Sequence, residues 1–430
     1  MPTKTFMKNR LKSKYVFHLS NIACFNFFNF SNYYIIQNYK KKEHRKRFLE
    51  KFTIFSKKRK PGNLIWFHAS SVGEILSVIP LIEKYEKDNS INQILVTSST
   101  LSSSKIINKF NFKKTTHQFY VFDLFFLTSR FINFWKPKIA IFIESEIWPS
   151  MFKQIHKNKI PLLLLNARIT KKSYIKWNKF NEYSQSIFQL ITRAYPQNLE
   201  TISFLKKLGT KNIKFIGNLK FSENFTNKKD KIENKLNNQL KSRKIWVASS
   251  THYNEELFCA NVHIKLKKKI KNLLTIIIPR HIDRIPKIQS ELKKLNLNVL
   301  THTSKIKNLK KVDIYLVDTF GETNKFFKLC SSVFLGGSII NRGGQNPLEP
   351  ARYGTKIFHG PNIDNFKDVY KLLKSFKVSK EIKTYHSLSK LITFKKSSFK
   401  SSKLSKIGRK ILNKTINEID FIIKNEIKKT

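Results

Sequence analysis

The residues whose types and spacing most clearly suggest a binding site form a glycine-rich stretch from Gly336 to Pro350. Four of the chain's 12 glycines lie there, directly after the apolar run 332–335. Glycine permits positive φ and close backbone approach, so the cluster predicts a tight loop around a bound group. Pro347 is placed as the first residue of a helix over 348–353, which Gly354 ends, and a helix N-terminus suits an anion such as phosphate. A purely structural turn is the alternative.

Glu74 is the candidate for proton transfer. It closes the turn 68–74 and begins a helix with apolar positions at helical spacing as far as Tyr85. Because the positive end of a helix favours an ionised carboxylate, Glu74 is better placed as a base than as an acid. Ordinary helix capping is the alternative interpretation of this residue.

Charged residues follow several other apolar runs. Glu144 and Glu146 come directly after the run 139–143, and two carboxylates beside Trp148 are typical of a sugar or cation contact. Lys220 lies in another such loop, where a cation would serve an anionic ligand or a leaving phosphate. Simple loops are the alternative for each.

The second half of the chain has similar loops. Arg280 suits a phosphate, while Glu322 and Glu349 suit the hydroxyl groups of a sugar. None of the chain's loops is a Walker P-loop, a GxGxxG turn, an HExxH helix or a nucleophile elbow. The common kinase, dehydrogenase and hydrolase patterns therefore lack support.

The elements that must position these loops alternate between strands and helices. The apolar runs of strand length are 64–69, 94–97, 119–122, 139–143, 161–165 and 213–216, then 245–248, 273–278, 297–300, 314–317, 333–335 and 356–358. Strands that are apolar throughout predict parallel sheets covered on both faces. The predicted fold class is α/β, with two doubly wound halves and a cleft at the carboxyl ends of their strands. The predicted divisions are a segment 1–42, a domain 43–221, a polar linker 222–243 and a domain 244–430.

Composition restricts the partners. The chain has 430 residues and a formal net charge of +55, which favours an anionic partner such as acidic lipid, phosphorylated substrate or nucleic acid. A compositional bias towards Lys, Asn, Ile and Phe throughout the chain explains the high net charge equally well. The three cysteines form no CxxC pair, so we expect neither a disulfide framework nor a zinc site. This cysteine usage fits a reducing compartment.

The amino-terminal segment 1–42 combines lysines with aromatic residues. The stretch 15–36 is too polar for a clear membrane span, and no small-residue cleavage site follows it. Aromatic residues flanked by basic ones suit a segment that lies on an anionic membrane surface or crosses it marginally. A buried core helix is the alternative.

Taken in order, the loop motifs resemble those of the bacterial Kdo transferase family, over roughly residues 43 to 375. The motifs are HASSVGE (68–74), ESEIWP (144–149), NARIT (166–170), GNLKF (217–221), ASSTH (248–252), PRH (279–281), DTFGE (318–322) and GGSIINRGGQNPLEPA (336–351). The resemblance implies transfer of 3-deoxy-D-manno-octulosonic acid (Kdo) from CMP-Kdo to the lipid A precursor. It also implies the GT-B architecture of two Rossmann-like domains, at the cytoplasmic face of the inner membrane.

The resemblance assigns roles by position and implies no metal and no cofactor beyond the CMP-Kdo donor. Glu74 becomes the general base, and Glu144 and Lys220 stabilise the transition state. The segments implied to bind CMP comprise Pro279, Arg280, Phe320, Gly321, Glu322, Asn346, Pro347, Leu348 and Glu349.

The chain departs from the family pattern at five positions, none of them assigned to catalysis. Gln345 replaces a histidine and Ser222 an aspartate, while the others are Ser150, Asn254 and Thr323. Another GT-B enzyme of nucleotide sugars, such as an epimerase, is the alternative enzyme. The competing hypothesis of a nucleic-acid-binding protein rests on net charge alone, since no nucleic-acid-binding motif supports it. Nucleic acid is therefore not an expected partner.

Overall fold

The computed structural model describes residue 44 and residues 46–222, 232–304, 308–399 and 401–428. They form two compact units: the first draws on the ranges Met1–Glu223 and Gly408–Thr430, the second on Asn224–Ile407. Each unit is α/β with a parallel sheet, as predicted. The predicted membrane-associating segment 1–42 and part of the linker 222–243 lie outside the described residues.

The first unit contains a six-stranded sheet in the order β3-β2-β1-β4-β5-β6, which is a doubly wound order. Its strands are β1 (Leu64–His68), β2 (Gln93–Ser98), β3 (Thr115–Phe119), β4 (Ile139–Ile143), β5 (Leu162–Ala167) and β6 (Arg193–Pro196). Its helices are α1 (Val72–Glu86), α2 (Leu101–Ile107), α3 (Phe125–Trp135), α4 (Pro149–Lys157), α5 (Lys171–Asn178), α6 (Asn181–Phe188) and α7 (Leu199–Lys207), with short 3-10 helices at Arg47–Phe52 and Leu219–Ser222.

Two of the predicted strands of this unit are misplaced. The run 213–216 contributes only an isolated bridge between Ile213 and Ala194, and β6 forms the sheet edge instead. The strand expected at 119–122 ends at Phe119, because polar residues before it enter the sheet. His117 is buried there and contacts the Ser98 hydroxyl at 2.9 Å, so its polar atoms are satisfied inside the sheet.

The second unit contains a seven-stranded parallel sheet in the order β13-β12-β11-β7-β8-β10-β9. Its strands are β7 (Lys244–Thr251), β8 (Leu273–Pro279), β9 (Val299–Thr301), β10 (Ile314–Leu316), β11 (Ser332–Leu335), β12 (Lys356–His359) and β13 (Ser379–Glu381). Its helices are α8 (Asn234–Lys241), α9 (Glu255–Lys267), α10 (Ile285–Lys293), α11 (Thr323–Leu329), α12 (Leu348–Arg352), α13 (Lys367–Ser375) and α14 (Tyr385–Leu391), with a 3-10 helix at Ile282–Arg284. The edge strand β13 is polar, so no apolar run marks its position in the sequence.

The last helix, α15 (Ser402–Lys428), differs from the expected division of the chain. Its residues from Gly408 onward belong to the first unit, although the sequence placed 244–430 in one domain. Ile411, Ile419 and Ile423 are buried. Glu418 forms ion pairs with Arg193 at 3.0 Å and with Lys214 at 2.5 Å. These apolar and ionic contacts attach α15 to the first unit.

Candidate functional site

Glu74 lies in the first turn of α1, directly after the carboxyl end of β1. One carboxylate oxygen accepts a hydrogen bond from the Ser70 amide at 2.8 Å, and the other accepts one from the Ser71 hydroxyl at 2.8 Å. Ser71 also caps the helix by accepting from the Glu74 amide at 3.3 Å. Capping and the orientation of this carboxylate are therefore parts of one arrangement.

The pKa of Glu74 is raised to about 7, first by burial and then by the negative charges of Glu144 and Glu146. The hydrogen bonds from Ser71 and Ser70 oppose this shift. The positive end of the helix favours the ionised carboxylate, but burial and the like charges outweigh that influence and raise the pKa overall. A carboxylate with a pKa near the operating pH is suited to accept a proton.

Glu144 and Lys220, which are far apart in the sequence, are joined by an ion pair of 2.5 Å. Glu144 follows β4 with a left-handed backbone (φ 56°) and is buried. Buried Asn166 positions the Lys220 loop, since its side-chain oxygen accepts a hydrogen bond from the Leu219 amide at 2.9 Å. Residues from the loop after β4, the end of β5 and the 3-10 helix Leu219–Ser222 therefore converge on one charged pair.

Glu146, which has no role in the family assignment, is the centre of a hydrogen-bond network beside Glu74. It accepts from the Ser70 hydroxyl at 2.7 Å and from the Trp148 indole at 2.8 Å, and lies 3.0 Å from Nε2 of buried His68. Burial raises the pKa of Glu146, but the His68 and Ser70 contacts outweigh it and lower the pKa overall. Glu146 thus stays charged and contributes to the raised pKa of Glu74.

The glycine-rich loop of the second unit begins after β11, as predicted, but some of its amides are already occupied. The Glu255 carboxylate, from the first turn of α9, accepts from the amides of Gly337 at 2.7 Å, Ser338 at 3.1 Å and Ile339 at 3.0 Å. Glu255 therefore occupies three amides of the loop, one of them from a glycine, while the anion contact at the N-terminus of the following helix stays a prediction. Glu255 is buried, and the amides satisfy a charge that would otherwise be costly there.

The segment that ends the loop, Asn346 to Glu349, begins the short helix α12. Pro347, predicted as the first helical residue, is instead the N-cap, one position before the first helical residue Leu348. The Asn346 side chain accepts a hydrogen bond from the Leu348 amide at 3.1 Å. Burial raises the pKa of Glu349, while the charges of Arg352 and Arg280 act against that increase. Arg280 and Glu349, predicted to serve one ligand, thus lie close enough to interact.

Cations gather around His252 in the same unit. Its pKa is lowered to about 4 by burial and by His281, Arg342, Arg280 and Arg284, in that order. Arg284 is held by Glu256 through two bonds of 2.9 and 3.1 Å, whereas Arg280 and Arg342 are exposed. Sequence analysis singled out only Arg280 here, although the ASSTH and PRH motifs carry two of the other residues.

The remaining predicted residues lie at the end of β8 and in the loop after β10 of the same unit. Pro279 ends β8, and the Arg280 amide donates to the Thr251 carbonyl at 2.9 Å. Phe320 is 73% exposed, Gly321 has φ 82°, and Glu322 forms an ion pair with Lys325 at 2.6 Å. The loop 318–322 leads into α11 and the segment Asn346–Pro347 leads into α12, and these two helices contact each other.

The described residues also limit two other kinds of site. No set of three or more His, Cys, Asp or Glu side chains among them is arranged to hold a metal ion. In the same part of the chain, every helix is too short or too polar to cross a membrane.

Comparison with known proteins gives consistent matches. Residues 46–223 match the family model described as 3-deoxy-D-manno-octulosonic-acid transferase (kdotransferase). A 3-deoxy-D-manno-octulosonic acid transferase of Rickettsia bellii is 33% identical over 355 residues, covering 82% of this chain and 84% of the relative. One of Haemophilus influenzae is 28% identical, covering 78% of this chain and 79% of that protein.

A solved structure is similar to the whole fold. It is a putative UDP-N-acetylglucosamine 2-epimerase of Listeria monocytogenes, with a TM-score of 0.56. The match covers 86% of this chain and 98% of that one, at 13% sequence identity. At this identity the likeness concerns the two-unit α/β fold alone.

Proposed function

The chain belongs to the 3-deoxy-D-manno-octulosonic acid (Kdo) transferase family, and we propose that it transfers Kdo from CMP-Kdo to the lipid A precursor (lipid IVA) of lipopolysaccharide. The observation that carries the proposal is the Glu74 carboxyl group, with its pKa raised to about 7 at the start of α1. Such a group is half ionised near neutral pH and can accept the proton of an acceptor hydroxyl.

Glu74 removes that proton as the hydroxyl oxygen attacks the anomeric carbon of Kdo. The bond from that carbon to the CMP phosphate breaks, and CMP leaves with the bonding electrons. Inversion needs one base and no covalent intermediate, by analogy with inverting hydrolases. The Glu144–Lys220 pair stabilises the charge that develops in the transition state.

The second unit holds the donor. Arg280 binds the phosphate, and Glu349 and Glu322 accept hydrogen bonds from sugar hydroxyls. Pro279, Phe320, Gly321, Asn346, Pro347 and Leu348 complete the CMP segments. The proposal includes the GT-B cleft that the resemblance implies, and no cofactor other than the donor.

The proposal extends to location. An enzyme with this acceptor works at the cytoplasmic face of the inner membrane. The segment 1–42 would hold it there through its aromatic and basic residues, next to anionic lipid.

Product mass tests the proposal directly. The full chain in detergent is incubated with lipid IVA and either freshly made CMP-Kdo or UDP-N-acetylglucosamine. We expect a product heavier by one or more Kdo units with CMP-Kdo only. Transfer from the UDP sugar, or no transfer together with tight and salt-sensitive RNA binding, would contradict the proposal.

A further inference from the structure

A basic pocket lies in the first unit, away from the carboxyl ends of the strands. It is an open pocket of about 570 Å³ between the residues that lead towards β1 and the second half of α3. Four of its lining residues are cations, namely Lys57, Lys58, Arg59 and Arg130, and no described carboxylate lines it. Pockets of this charge favour an anion.

Arg59 is fixed in place and keeps one unused donor. Its Nε donates to the Trp135 carbonyl at 2.6 Å and one Nη to the Gly62 carbonyl at 2.7 Å. The other Nη is buried and has no hydrogen-bond partner in the part of the chain that the structure describes. An unpaired buried donor on a charged group is unfavourable, so an anion that reached it after a small side-chain movement would be stabilised.

The other three cations are exposed and available. Neither Lys57, Lys58 nor Arg130 forms an ion pair with any described residue. Arg130 lies on α3, while the two lysines lie on the segment before β1. Cations from two separate elements thus face one opening without an internal counter-ion.

Apolar groups border the same opening. Ile54 is 54% exposed, and Phe55 is stacked on Phe134 with ring centroids 3.9 Å apart. Since the two rings cover each other, they are poorly placed to stack on nucleic-acid bases. Cations beside exposed apolar surface match a ligand with a phosphate head and an apolar body.

We propose that this pocket, formed by residues 53–59 and the second half of α3, binds the phosphate of an anionic phospholipid. The phosphate would contact Arg59 and Arg130, with Lys57 and Lys58 at the rim. Ile54 would lie against the lipid backbone. The pocket residues 53–59 closely follow the segment 1–42 in the sequence, so the pocket would add a second lipid contact to the one proposed for that segment.

Photo-crosslinking tests the site in the full chain. Vesicles carry phosphatidylglycerol with a photoactivatable group near its phosphate, and labelled peptides are mapped by mass spectrometry. The double variant K57Q/R130Q removes two pocket cations and leaves Arg59 in place. The matched control K206Q/K211Q removes two exposed lysines near β6, three strand positions from β1.

We expect labelling of peptides that cover 53–59 or 125–135, with a fall of about ten-fold or more in K57Q/R130Q and no change in the control. Transferase activity in detergent should be the same in both variants, so failure of the lipid site is distinguishable from failure of the proposed function. Equal pocket labelling in both variants would overturn the assignment. So would equal labelling by a zwitterionic phosphatidylcholine probe, or loss of labelling to millimolar inorganic phosphate or to RNA.

Discussion

In the first unit, three carboxylates lie close enough for their charges to interact, and one of them forms an ion pair with a lysine. In the second unit, by contrast, cations gather and two nearby carboxylates are already bound. Burial and then the charges of Glu144 and Glu146 raise the pKa of Glu74, and Glu144 forms an ion pair with Lys220. In the second unit, Glu255 is held by backbone amides and Glu256 by Arg284. Arg280 and Arg342 are exposed, and neither forms an ion pair with a carboxylate in the part of the chain that the structure describes.

This difference separates two chemical tasks. Crowded acids raise the pKa of one of their members, which suits proton transfer. Exposed cations with internally neutralised acids leave a positive field, which suits a phosphate. The following experiments break or sharpen that contrast.

The largest effect is expected at Glu74. In E74Q the carboxyl group cannot accept a proton, so kcat should fall by about 10²- to 10⁴-fold with little change in the KM for CMP-Kdo. Steady-state kinetics of Kdo transfer measures both. E83Q, an exposed glutamate on the same helix, is the control and should retain parent activity. Equal losses in the two variants would remove Glu74 from the chemistry.

Arg280 should show the opposite pattern. R280A removes a charged phosphate contact, so the KM for CMP-Kdo should rise by about ten- to hundred-fold, with a smaller change in kcat. K271A, an exposed cation before β8, is the control. A fall in kcat alone would mean that the cation acts on the transition state and not on donor binding.

Glu255 tests whether the loop amides are held internally. In E255Q the amide accepts less strongly than a carboxylate, so local opening of the loop should become easier by about 2 kcal/mol. Hydrogen exchange of peptides covering 333–345 measures this opening. E291Q on α10 is the control. Unchanged exchange would show that the amides do not depend on this carboxylate.

The smallest effect is expected at Glu146. A raised pKa of about 7 leaves Glu74 increasingly protonated, and inactive as a base, as the pH falls below that value. Glu146→Gln removes one of the charges that raise this pKa, so the acid limb of the kcat/KM profile should move to lower pH. The ratio of activity near pH 6 to that near pH 8 should rise by about two- to five-fold.

S99A is the control for Glu146, since Ser99 contacts Ser70 at 3.0 Å but carries no charge. Its acid limb should coincide with that of the parent. A shift of the acid limb to higher pH in Glu146→Gln would show that the hydrogen bonds of Glu146, and not its charge, control the pKa of Glu74.

Much of the fold follows from the apolar runs, because buried parallel strands need apolar side chains on both faces. The run 139–143 matches β4 residue for residue. Strands satisfied by polar contacts, such as β3, or short polar ones at an edge, such as β13, have no such pattern. Their position depends on partners that are distant in the sequence.

The candidate site was predictable to the extent that strand ends converge. Glu144 and Lys220 follow different predicted strands, and they form an ion pair. Spacing could not show that Glu255 would reach the amides of a loop 82 residues later in the chain. Nor did it identify Glu146 as a hydrogen-bond centre, because two of its partners, His68 at the end of β1 and Ser70 in the loop before α1, are distant from it in the sequence.

The attachment of α15 to the first unit has a consequence for synthesis. The hydroxyls of Tyr85 and Tyr195 donate to Asp420 and Glu418, which follow them in the chain by 335 and 223 residues. The unit begun first is therefore completed last, after the whole second unit has been translated. A stop codon at Gly408 would damage the first unit, although the second unit is the one encoded immediately before it.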